Sequence, residues 1–165
     1  MHHHGYLWTG PKERFDQEAL RRPPHPEPPP APVSEEDVKA AQLLGRYREA
    51  AADFPTSDLP PIETAYWLVK PRSFIRVTCD EAKEAASWLG ERLTEYAPRF
   101  TPERDGDTAR LARLVNAAAE QLRSGADVSY GFYLERPSYL SLAVVTCSPH
   151  RSRPDLGCPM AEGGR

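Results

Sequence analysis

Residues 21–32 read RRPPHPEPPPAP. Proline fixes φ, removes an amide donor and disfavours helix in the residue before it, so a stretch this dense in proline belongs to neither a helix interior nor a central strand. It is expected as polyproline II, semi-rigid and extended by ~3.1 Å per residue. The tract divides the chain. It predicts a flexible N-terminal arm with a Pro-rich linker over 1–33 and a single folded domain over 34–147. The aperiodic SPHRSRPDLGCPMAEGGR predicts a short disordered C-terminal tail over 148–165. A body of that size holds one hydrophobic core.

Within the body the hydrophobic period changes repeatedly. Over 34–54 the apolar residues Val38, Ala41, Leu44, Tyr47, Ala51 and Phe54 recur at steps of three and four behind a capping Ser34, which predicts a helix. Residues 64–69 and 74–78 are rich in aromatic and β-branched types around KPRS and predict a hairpin. Thr78-Cys79-Asp80-Glu81 matches a capping box. The helix behind it has an inner face of Ala82, Ala85, Ala86, Leu89, Leu93 and Tyr96 and stops before Pro98. A further helix carries Leu111, Leu114, Val115, Ala118 and Leu122 on one stripe and ends at Gly125. A second hairpin turns at ERPS, and its strand over 139–146 is hydrophobic enough to be central. The order helix, hairpin, helix, helix, hairpin implies an α+β two-layer sandwich, an antiparallel sheet of two β-hairpins packed against helices. Its far face needs a cover or is a binding surface. Tyr66, Trp67, Tyr130, Tyr133 and Tyr139 are the candidates for that face.

Net charge is −3, and the first 33 residues balance four basic side chains (Lys12, Arg14, Arg21, Arg22) against four acidic ones (Glu13, Asp16, Glu18, Glu27). Clustered Lys/Arg, which phosphate binding needs, is missing from this pattern, so nucleic acid is disfavoured as a partner. No apolar run reaches the ~18 residues of a membrane span, and no signal-peptide core is present, so a cytoplasmic location is expected.

The five histidines are His2, His3, His4, His25 and His150, all outside the expected folded body. Ser-His or Cys-His catalysis needs a histidine held in place, which an arm or tail does not supply. The chain also lacks GxSxG, GxxxxGK[ST] and GxGxxG. Glu63, Asp80, Glu81 and Glu135 could act as acid or base, yet their positions suit solvated surface groups. No catalytic residue is assigned. Cys79, Cys147, His150 and Cys158 supply zinc-ligand types, but C-x-x-H with a cysteine ten positions further on is no standard spacing. No metal and no cofactor is therefore expected. The three cysteines read as reduced thiols, and the short His2–His4 run is given no functional weight.

Tyr6, Leu7 and Trp8 remain. They are large apolar groups in a segment too short to bury them by itself, and Trp and Tyr dominate interface hot spots. Twelve residues of polyproline II reach roughly 37 Å, enough to dock the cluster on another protein or back on the body. The reading is a non-enzymatic interaction or regulatory protein whose N-terminal aromatic peptide meets a protein partner. The alternatives are a small enzyme or ligand-binding domain using the aromatic sheet face, and a nucleic-acid-associated accessory protein.

Overall fold

The computed structural model describes residues 1–161. Its sheet has four antiparallel strands: β1 (His2–Pro11), β2 (Ile75–Cys79), β3 (Val128–Tyr133) and β4 (Ser138–Cys147). Their order is β2-β1-β4-β3. The segment expected to be a flexible arm thus supplies an inner strand, paired with β4 from His2↔Cys147 to Pro11↔Ser138 and with β2 from His3↔Cys79 to Tyr6↔Ile75. The reason is local. The first proline after Met1 is Pro11, so ten residues are free to enter a ladder, and every amide of an inner strand is satisfied on both sides.

Among the described residues the α-helices are α1 (Lys12–Phe15), α2 (Val38–Asp53), α3 (Ala82–Tyr96) and α4 (Thr108–Arg123). Helices α3 and α4 cover one sheet face. Ala85, Ala86, Leu89 and Leu93 of α3 and Leu111, Ala118 and Leu122 of α4 are buried there against Val128, Phe132, Leu140, Leu142 and Val144. Phe100 and Phe132 stack at 4.3 Å between centroids within this core. Gly5 lies where α3 comes closest to β1: a Cβ there would meet the Trp88 ring at 2.7 Å, so the strand approaches the helix only without a side chain.

The first expected hairpin does not form. Residues Thr64–Val69 are 3₁₀ turns, and β2 takes β1 as its partner instead. Pro71 cannot donate to a ladder, and the turns deliver Trp67 and Leu68 onto the second sheet face. There Trp67 stacks on Tyr6 at 4.6 Å between centroids, with Ala143, Val145 and Cys147 around them and Leu156 and Cys158 laid over the top. The part of the second face around Tyr6 is therefore covered, by 3₁₀ turns on one side and by part of the expected tail on the other, while Tyr133 at its far end is exposed. Residues 162–165 of that tail lie outside the described residues.

Two helix starts also differ from expectation. Helix α2 begins behind Asp37, whose carboxylate accepts from the Ala40 amide at 3.3 Å, rather than at Ser34. The Thr78 hydroxyl is turned toward the sheet, so no capping box forms at α3. Every side chain of α2 keeps solvent exposure, and the proline tract is held near it by the Tyr47 hydroxyl, which donates to the His25 carbonyl at 2.6 Å.

Candidate metal centre

Side chains alternate along a strand, so His2, His4, Tyr6 and Trp8 share one face of β1, and His3, Gly5 and Leu7 share the other. His2 and His4 face the covered side of the sheet, and Cys147 lies opposite His2 on β4. After Cys147 the chain turns back and brings Cys158 over the same spot. One ligand atom from each of His2, His4, Cys147 and Cys158 lies within 4.8 Å of the others. His4 Nε2 is 3.2 Å from Cys147 Sγ and 3.4 Å from Cys158 Sγ, and His2 Nδ1 is 3.6 Å from Cys158 Sγ. A tetrahedral ion with Zn–S of about 2.3 Å and Zn–N of about 2.05 Å holds N and S roughly 3.5 Å apart. The observed spacings bracket that value.

The surroundings orient the donors. Thr78 sits opposite His4 across the β1–β2 ladder, and His4 Nδ1 is 2.9 Å from Thr78 Oγ1. With its hydrogen on Nδ1, the imidazole donates to Thr78 and presents a bare Nε2 to both sulfurs. Burial lowers His4 to about 4, with His2 and His3 adding to the effect, so the ring is neutral at pH 7. His2 Nε2 stands 3.9 Å from Asp80 Oδ1. Burial raises the Cys147 thiol, so a bound cation would take the place of its proton.

The loop that carries Cys158 is anchored by His150, a buried residue. His150 Nε2 donates to Asp127 Oδ2 at 2.8 Å, and His150 Nδ1 accepts from the amides of Ser152 (3.2 Å) and Arg153 (3.0 Å). Both ring nitrogens are thereby used. Asp127 Oδ1 accepts from the Thr146 amide at 2.9 Å, tying the loop to the end of β4.

The four residues whose zinc-ligand types were weighed and set aside do not come together: Cys79 belongs to the helix-side core and His150 positions the loop, while His2 and His4 lie with Cys147 and Cys158. Their signal in the sequence was the i, i+2 spacing of the two histidines, which puts both on one face of a strand.

The aromatic candidates are likewise redistributed. Tyr6 and Trp8 are buried at 1% and 4% exposure, and Leu7 packs against the helix-side core, so these three contribute to the protein's own interior. The five tyrosine and tryptophan residues of the expected sheet-face surface do not share a face. Trp67 is buried over Tyr6, Tyr66 meets Arg153, Tyr130 faces α4 and donates to the Leu114 carbonyl, and Tyr133 and Tyr139 form an edge-to-face pair at the far end of the second face. The carboxylates also stay apart: Glu135 pairs with Arg99, Glu63 lies 3.9 Å from Arg153, and Glu81 precedes α3 in the open. Among the described residues no helix is long and apolar enough to cross a membrane. Neither family models, curated proteins nor solved structures give a match to the chain.

Proposed function

We propose that this protein is a non-enzymatic zinc-binding protein in which a Cys₂His₂ centre joins an inner strand to the segment that follows β4. The observation that carries the reading is the convergence of His2, His4, Cys147 and Cys158 at N–S spacings of 3.2–3.6 Å. Zinc is the ion suited to two imidazoles and two thiolates in a tetrahedron. Four protein ligands leave no open position for substrate or activated water, which favours a structural centre over a catalytic one. The centre would join β1 to two neighbouring segments at the other end of the sequence, the end of β4 and the loop bearing Cys158.

Elemental analysis of the full chain expressed with zinc in the medium tests this. One zinc per chain is expected, together with a fall in Tm on adding a strong chelator. Cys158→Ser should lower zinc occupancy while leaving the sheet intact by circular dichroism. A protein free of zinc after expression and after incubation with zinc, with the same Tm in chelator, would refute the reading.

A further inference from the structure

The two sulfurs of the centre are not equivalent. Cys147 is fully buried at the end of β4, whereas Cys158 is half-buried on a loop. Cys158 also forms part of the wall of an open cleft of about 570 Å³, with Lys70, Arg72, Ser73, Gly157 and Pro159 beside it. A small solute reaches the Cys158 side chain through that cleft before it reaches Cys147. The two sulfurs lie within 4.8 Å of each other, both beside His4 Nε2. Cys79 stands apart, on the opposite sheet face within the helix-side core. A more accessible thiol beside a buried one is a usual arrangement of an attacking and a resolving cysteine.

We propose that a peroxide joins Cys147 to Cys158 in a disulfide and discharges the zinc. The proposal rests on the zinc reading above. The Cys158 thiolate attacks one peroxide oxygen; the S–O bond forms, the O–O bond breaks, and the departing oxygen takes a proton from water. Cys158 is then a sulfenic acid. The Cys147 thiolate attacks that sulfur; the S–S bond forms and hydroxide leaves. The two thiolates lose two electrons in total and the peroxide gains them. Zinc keeps its +2 charge throughout. It loses both anionic ligands and retains only two neutral imidazoles, His2 and His4, too few to hold it.

The exchange changes which segments are joined. Zinc ties β1, β4 and the loop together, whereas the disulfide ties the loop to β4 alone. Strand β1 stays in the sheet because its ladders to β2 and β4 are untouched. The oxidised protein is folded, less stable and free of metal.

Zinc-loaded full-length protein is treated with hydrogen peroxide in the presence of a chromophoric zinc chelator, and its cysteines are mapped by peptide mass analysis. One zinc released per chain, in step with one Cys147–Cys158 disulfide and reversed by thiol reductant plus zinc, is the expected result. In Cys147→Ser, which removes the resolving thiol, a dimedone adduct should form on Cys158. Zinc retained at peroxide levels that modify exposed thiols elsewhere, zinc lost without this disulfide, or dimedone on Cys79 instead would overturn the proposal. Cys79→Ala should behave as wild type. Failure to take up zinc before any peroxide is added is a different result: it removes the zinc reading, and the release with it.

Discussion

Trp8 and Asp58 are joined across 50 positions of sequence by one hydrogen bond, the indole Nε1 donating to Asp58 Oδ2 at 3.1 Å. Arg14 donates to the same carboxylate through both terminal nitrogens. The Trp8 ring lies 5.8 Å from that of Phe15 and is almost fully buried. Trp8→Ala should therefore cost about 3–5 kcal/mol of stability, the range for a buried aromatic. Urea denaturation measures it. A cost below about 0.5 kcal/mol, typical of a surface site, would show that Trp8 is solvated and β1 detached at that end.

Thr78→Val keeps the side-chain shape and removes the partner of His4 Nδ1. Zinc affinity should drop about 10–100-fold, the usual effect of removing a group that orients a metal-bound histidine. Competition against a chromophoric chelator reads this out. An affinity equal to wild type would mean that the strand alone fixes the ring.

Leu122 is fully buried in the helix-side core, while Leu114 is half-buried at its margin. Leu122→Ala should cost about 2–5 kcal/mol, and Leu114→Ala distinctly less because it leaves a smaller cavity. The order of the two costs is the test, and the reverse order would place the α4 stripe in a different orientation.

Lys70 is buried, and its Nζ donates to the Phe54 carbonyl at 2.9 Å and the Ser57 carbonyl at 2.7 Å. These contacts favour the ammonium, but burial outweighs them and lowers Lys70 to about 8. An unfolded lysine keeps its proton up to about 10.4. Between those values the unfolded state binds more protons than the folded one, so this group makes stability rise with pH. The unfolding free energy of wild type minus that of Lys70→Met should increase from pH 8 to pH 10.5, by up to about 3 kcal/mol. A flat or falling difference would show the ammonium to be retained in the fold.

Helices α3 and α4 and the β3–β4 hairpin were legible because each carries its period over a long enough run. Leu89 and Leu93, and Leu111, Ala118 and Leu122, fall where a 3.6-residue period puts them, and Gly125 ends α4 with φ +80°. Strand β1 was hidden by its neighbour. The proline tract drew the domain boundary at residue 33, although Tyr6 and Trp8 already alternate with Leu7 and Thr9 as a strand requires. Thr64–Val69 was misread because aromatic and β-branched residues suit a packed 3₁₀ cover as well as a strand. Two of the four clustered residues, Cys147 and Cys158, stand out in the sequence as zinc-ligand types, though their spacing argues against a standard site. The pairing with His2 and His4 does not, because only the β1–β4 register places residues at opposite ends of the sequence side by side.

That register bears on how the molecule is made. His3 and the Thr146 hydroxyl it meets are 143 positions apart. On a ribosome, β1 emerges long before either of the strands that flank it. Until β4 follows, β2 is the one strand partner of β1 already made, and Tyr6 has Trp67 but neither Ala143 nor Val145 to pack against. Closing so long a loop is slow because the chain entropy is lost before the contacts form. The edge of β1 that β4 covers therefore stays unpaired until β4 is made, a state in which chaperones or aggregation compete with folding.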